Sequence, residues 1–237
     1  MKSKTAGFQR WSNLAFLHWR IDSNELQKRL PEGLEVETFD GSAWLAVVPF
    51  SMERVRPWWS PAVPGISWFL ETNVRTYVRH SNGQSGVWFF SLDANHKLAV
   101  WLARNFWHLN YVSAKMDLEF ASHRLKCSGA RYSNRNENYD ISLEIDSELQ
   151  LQTAAENSLE FFLLERYHLF CQRPDGRFLT GEVHHTPYPY VEVNSVSVTQ
   201  TLTAAYGFPL NDLPDHAAFS PGVNVRVSPL ELVPESS

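Results

Sequence analysis

The stretch FLETNVRTYVRHSNGQSGVWFFSLDA, from Phe69 to Ala94, constrains the fold more than any other part of the chain. It reads as two long strands joined at Asn82-Gly83, a dipeptide that accepts the positive φ of tight hairpin turns. Alternate side chains of a strand point to opposite faces. Glu71, Asn73, Arg75 and Tyr77 therefore share one face, and Trp68, Leu70, Thr72, Val74 and Val78 take the other. An acid, an amide, a guanidinium and a phenol in one row form either a solvated sheet surface or the polar wall of a pocket. Both readings require a β-rich fold.

The rest of the chain repeats the pattern. Trp11 to Arg20 reads as a strand. Asp22 is placed to cap a short helix with Glu25 as its capping-box partner; Leu26 and Leu30 lie on the buried side, and Pro31 and Gly33 end it. Asp40-Gly41 signals a hairpin between Leu34–Phe39 and Ser42–Val48, and SAWLAVVPF is apolar on both faces, as in a strand covered on two sides. Leu98, Leu102 and Phe106 recur every four residues, as do Ala99, Ala103 and Trp107, which predicts a helix over 95–107. From Tyr111 to Phe120 the period returns to two. Further strands are expected at 124–133, 138–147, 165–173, 177–185, 190–204 and 222–228, with a short helix near 155–163. The tail from Pro229 to Ser237 is expected to fray. Pro57 to Gly65, with two tryptophans, suits a lid or rim. These elements predict one β-rich α+β domain over 1–237: a closed or highly curved antiparallel β-barrel with two or three flanking helices.

Composition excludes several function classes. Charged residues are 20%, the net charge is −5, and lysine and arginine form no basic stripe along the sequence, so a nucleic-acid partner has no electrostatic support. Aromatic residues are 14%, with 9 Trp and 15 Phe, which favours strands and large cavity-lining side chains. No apolar run is long enough to span a bilayer. The basic start lacks the apolar segment of a secretory signal, and Cys127 and Cys171 stand far apart without a CxxC, which points to the cytoplasm and away from disulfides and zinc. No GxSxG, GxGxxG or P-loop occurs. His184-His185 cannot easily chelate one ion, because adjacent strand residues face opposite ways. Neither a metal nor a cofactor is expected.

Several segments in order resemble the domain-of-unknown-function family 2071: FLHW (16–19), LPEGL (30–34), FDGSAWLAVVPF (39–50), ETNVRTYV (71–78), GVWFFSLDA (86–94), Ala103, Arg104 and Phe106 of the expected helix, ERYHL (165–169) and HHTPYP (184–189). That family lies in the acetoacetate decarboxylase-like superfamily, which implies a closed β-barrel with flanking helices. The likeness to the decarboxylases themselves is fainter but colinear. It places Glu71 where they carry an active-site glutamate, and Ala103-Arg104-Asn105 where they carry a Gly-Arg-Glu helix. Their Schiff-base lysine aligns with Asn110-Tyr111-Val112, so it is missing here. Their first-strand arginine aligns nearest to Ser12, with Arg10 two residues earlier.

The candidate ligand-binding residues are Glu71, Asn73, Arg75, Tyr111 and Arg104, and the candidate catalytic residues are Glu71 and Lys115. Lys115 lies four positions past Tyr111 on the same strand face; desolvated, it could form an imine with a carbonyl. Its neighbours Asp117 and Glu119 favour a solvated face instead. Glu71 and Arg75 read either as a structural ion pair or as pocket lining. Asp93, before the expected helix, reads as a helix N-terminal or turn carboxylate, His18 as a hydrogen-bonded core histidine, and Arg166 as a strand-start residue or a cavity one. Three functions stay open: a barrel binding a small anionic or carbonyl-bearing molecule without chemistry; an enzyme using acid–base or Lys115 imine chemistry, though not an efficient acetoacetate decarboxylase; and an assembly module, including a homo-oligomer, whose exposed tryptophans form an interface.

Overall fold

A computed structural model describes residues 5–97, 100, 109–148, 150–193 and 195–234. Seven strands close a ring. β1 (Gly7–Ile21), β3 (Ala43–Pro57), β4 (Phe69–His80) and β5 (Ser85–Ala94) lie side by side in that order, and β9 (His168–Gln172), β10 (Phe178–His184) and β13 (His216–Val227) carry the ring from β5 back to β1. An arm leaves the ring at β5: β6 (Tyr111–Ala121), β7 (Arg124–Arg131), β8 (Asn138–Glu144) and β12 (Ser195–Gln200) follow one another outward. Short strands β2 (Leu34–Val36), β11 (Val191–Glu192) and β14 (Glu231–Leu232) edge β4, β13 and β10. The result is the expected β-rich, barrel-like fold, with helices α1 (Ser23–Gln27) and α2 (Leu159–Leu164) among the described residues.

The sheet is mixed rather than antiparallel throughout. β5 runs parallel to β6 and to β9, because each pair is joined by a long connection instead of a hairpin. The Asp40-Gly41 turn forms, with φ of 49° and 78°, but only the Phe39–Ser42 bridge follows it. Leu34–Val36 pairs with β4 instead. The last long strand starts six residues earlier than expected, at His216. Gly222 lies inside that strand with φ 117°, and a Cβ there would stand 1.9 Å from the Trp11 carbonyl oxygen, so only glycine fits. The tail does not fray entirely, since Glu231–Leu232 pairs with β10. The expected helix over 95–107 falls largely outside the described residues.

The two largest core clusters lie one on each side of the ring wall. Phe16, Trp44, Val48, Phe50, Tyr77 and Tyr188 pack inside it, joined by Leu163 and Leu164 from α2. Outside, Leu17, Leu45, Val47 and Val74 pack against Met116, Leu125, Ile141 and Leu143 of the arm. This is why Ala43–Phe50 is apolar on both faces: it is covered on both. Tyr139 of β8 reaches across the outer layer, its hydroxyl 2.7 Å from the Thr72 hydroxyl. Gly129 makes room for its ring, since a Cβ there would stand 2.4 Å from a ring carbon. The Asp22 carboxylate accepts from the Asn24 and Glu25 amides and caps α1.

Candidate functional site

The polar row of β4 faces inward. Glu71, Asn73 and Arg75 are all buried and line one cavity inside the ring, of about 90 Å³, together with Tyr111. Apolar side chains of the neighbouring strands, Trp11, Phe16, Phe50, Leu92 and Val183 among them, form the rest of its wall. Tyr77, the fourth member of the row, is fully buried and donates to the Leu163 carbonyl at 2.8 Å.

Glu71 and Arg75 do not form the ion pair that their charges suggested; no such pair occurs among the described residues. Four residues along a strand separate their Cα atoms by about 13 Å, with Asn73 between. Each group is left in a different state. The Tyr111 hydroxyl donates to Glu71 Oε2 at 2.7 Å. Burial pushes the Glu71 carboxyl up to about 7, with the Tyr111 hydrogen bond pulling against the rise and the Asp93 charge adding to it. Burial and the Glu71 charge push the Tyr111 phenol well above its ordinary value. Arg75 donates from Nη2 to the Leu163 carbonyl at 3.2 Å and lies over the rings of Phe16 and Tyr77. It has no carboxylate partner among the described residues, and its Nε and the Asn73 Oδ1 are buried without a hydrogen-bond partner. Buried polar atoms in this condition need a water or a ligand to satisfy them.

Arg166 also lines the cavity, but its charge is committed to Glu37 at 2.8 Å. His18 is wholly buried, and its Nδ1 lies 3.0 Å from Nδ1 of His216, a partner 198 residues away that no local pattern indicates. Burial, then the charges of His216 and Arg75, hold the His18 imidazole well below its ordinary value, and burial lowers that of His216. Arg75 thus lies near an uncharged imidazole and near a second cation, Arg166, whose counter-charge is Glu37.

The other candidates lie elsewhere. Lys115 is exposed, although it shares a strand face with Tyr111. β6 follows β5 only over Tyr111–Ser113 and from Ala114 pairs with β7, so the face that looks into the ring at Tyr111 looks into solvent at Lys115. The described lysines, Lys28, Lys97, Lys115 and Lys126, are all exposed. Arg104 falls outside the described residues. Neither Ser12 nor Arg10 is among the cavity-lining residues, which are Gln9 and Trp11 on that part of β1. Trp58 and Trp59 stand 64% and 72% exposed, and neither is among the residues that line the cavity, so the expected lid does not cover it. Asp93 is not a turn carboxylate: it faces outward and pairs with buried Arg131 through both oxygens, at 2.7 and 2.8 Å. No group of three or more potential metal ligands occurs among the described residues.

A ring of strands around a small polar-and-aromatic cavity is the fold also seen in acetoacetate decarboxylase-like proteins. The fold is similar to acetoacetate decarboxylase from Legionella pneumophila, with a TM-score of 0.68, 13% identity, and coverage of 99% of this chain and 90% of that one. It is similar to an acetoacetate decarboxylase-like enzyme from Sphingomonas wittichii RW1, with a TM-score of 0.69, 11% identity, and coverage of 98% and 95%. It is also similar to the enduracididine biosynthesis enzyme MppR complexed with pyruvate, with a TM-score of 0.67, 13% identity, and coverage of 100% and 93%. At such identities the likeness is one of fold. The chain belongs to the domain-of-unknown-function family 2071, described as an uncharacterized conserved protein, whose profile matches residues 8–224. It is 33% identical over 202 residues to the uncharacterized protein YqjF of Bacillus subtilis strain 168, covering 85% of this chain and 82% of that protein. No helix among the described residues is long and apolar enough to cross a membrane.

Proposed function

We propose that the ring cavity binds a small carboxylate that also carries a carbonyl group. One observation carries this reading: Arg75 is buried in the cavity wall without a counter-charge among the described residues, beside an unpartnered Asn73 oxygen. A buried guanidinium is costly unless an anion satisfies it, and it binds carboxylates through two parallel hydrogen bonds. The cavity is several times smaller than the pockets that hold drug-sized ligands, so the ligand has few heavy atoms. MppR, which shares the fold, is complexed with pyruvate, a molecule of this class.

The test is ligand-observed NMR with pyruvate and acetoacetate as probes. Saturation transfer is expected for the native chain and at least about tenfold weaker binding for Arg75→Gln. Equal affinity in the variant, or no binding of any small oxoacid, would refute the reading.

A second reading, acid–base catalysis, rests on Glu71. A carboxyl that changes protonation near pH 7 beside a bound carbonyl is suited to move a proton to or from the adjacent carbon. No lysine is among the described residues of the cavity wall, so imine chemistry has no amine there. Deuterium incorporation into the probe from heavy water, abolished in Glu71→Gln while binding persists, is the expected outcome. Exchange at the uncatalysed rate would leave the protein a binder only.

A further inference from the structure

We propose that the outer face of the ring, where β3, β1 and β13 run side by side, binds a small polyphosphate anion. The ladder registers place Arg56, Phe8 and Arg226 in one row across the three strands, and Glu53, Arg10 and Asn224 in the next. These residues alternate with Gln9, Trp11, Val225 and Val227, which line the cavity or its core. Arg54 completes the cluster through a backbone irregularity. The β1–β3 register shifts between Phe8 and Arg10, and Arg54 has φ 53°, the left-handed region that a residue with a long side chain seldom adopts. The extra residue sends Val55 to the inner core and leaves Arg54 and Arg56 on the outer face.

Together Arg10, Arg54, Arg56 and Arg226, with Asn224 and His184, line a groove of about 340 Å³. No carboxylate lines it. Arg10 has a distant partner, Glu53, at 3.9 Å, and Arg56 lies 4.7 Å over the Phe8 ring and donates to the Ser60 carbonyl at 3.3 Å. Arg54 and Arg226 have no carboxylate partner among the described residues. Four permanent charges are gathered here in a chain whose net charge is −5.

Guanidinium groups match phosphate oxygens in planar pairs, which favours phosphate over a halide or a single carboxylate. Two inter-strand spacings carry the cluster across about 10 Å. That span suits two or three linked phosphates, and it is short for a nucleic-acid strand, which needs a longer basic track with stacking aromatics.

The experiment is calorimetric titration of the full chain with sodium tripolyphosphate, with inorganic phosphate and a single-stranded oligonucleotide as the other arms. Arg54→Asn with Arg226→Gln removes two charges, and asparagine accepts the left-handed φ. Tripolyphosphate is expected to bind more tightly than phosphate, to weaken with added salt, and to bind about tenfold more weakly in the double variant. Arg75→Gln, inside the ring, should leave it unchanged. The proposal fails if tripolyphosphate does not bind, if binding survives in the double variant, if Arg75→Gln abolishes it, or if the oligonucleotide binds more tightly through the same arginines. A melting temperature in the double variant equal to that of the native chain establishes that the fold is intact.

Discussion

Two buried carboxylates sit on opposite faces of the same wall and were treated differently. Asp93, on the outer face of β5, meets Arg131 through both oxygens, while Ser91, Glu137 and Tyr206 also accept from its guanidinium. Burial opposes the charge on Arg131, but the hydrogen bonds and charge of Asp93 more than offset it and raise its pKa. Glu71, on the inner face of β4, receives one phenol hydrogen bond, and Arg75 on the same face receives no acid. The outer layer closes its polar network within the protein. The inner one leaves an acid and a cation facing the same space, each incomplete. Structural polar clusters satisfy themselves, whereas sites keep unmet capacity for a ligand.

The sharpest way to break this comparison is to unpair the outer acid. Arg131→Met is expected to cost about 3–5 kcal/mol in urea unfolding, because Asp93 remains buried without a partner. The double variant with Asp93→Leu should recover much of that loss. If the single change costs less than about 1 kcal/mol, the outer pair is not structural in this sense.

The inner acid should behave in the opposite way. The folded chain holds the Glu71 proton to about pH 7, while the unfolded chain releases it near 4.5. The folded state then binds more protons than the unfolded one between these values, so stability falls as pH rises through that window. The loss reaches about 3 kcal/mol above pH 7. Glu71→Gln is therefore expected to stabilise the chain at pH 8 by an amount of that order, and the gain should vanish towards pH 4.5. A gain independent of pH in thermal unfolding would disconnect it from the carboxyl.

Removing the inner cation should matter less for stability than for binding. Arg75→Met leaves no carboxylate stranded, so unfolding is expected to change by no more than about 1 kcal/mol in either direction. A loss like that expected for Arg131 would mean that Arg75 is structural. The smallest effect belongs to Lys115→Gln, within about 0.5 kcal/mol as for other exposed positions. Borohydride added with acetoacetate should leave no reduced adduct on Lys115 in a peptide mass map. An adduct there would promote the lysine over Glu71.

Local chemistry made much of this molecule readable from its residues. The period of two in Phe69–Ala94, the Asn82-Gly83 turn and the Asp22 cap act over a few residues, and each formed, although Glu25, read as the capping-box partner, pairs with Lys28 instead. The two-faced burial of Ala43–Phe50 was readable for the same reason: a strand without a polar face has nowhere to go but between two layers. The shared face of Glu71, Asn73 and Arg75 also followed from strand geometry alone. Whether that face met solvent or a cavity did not, because the answer depends on which strands close around it. The path of β6 was equally hidden, so Tyr111 and Lys115 shared a face on paper and have different surroundings in the fold. The choice of partner for Asp93, a guanidinium 38 residues away, was invisible for the same reason. Alternation, capping and turns are set by neighbours along the chain. Pairing, burial and the protonation of Glu71 are set by neighbours in space, and only the closed ring and its outer arm bring those together.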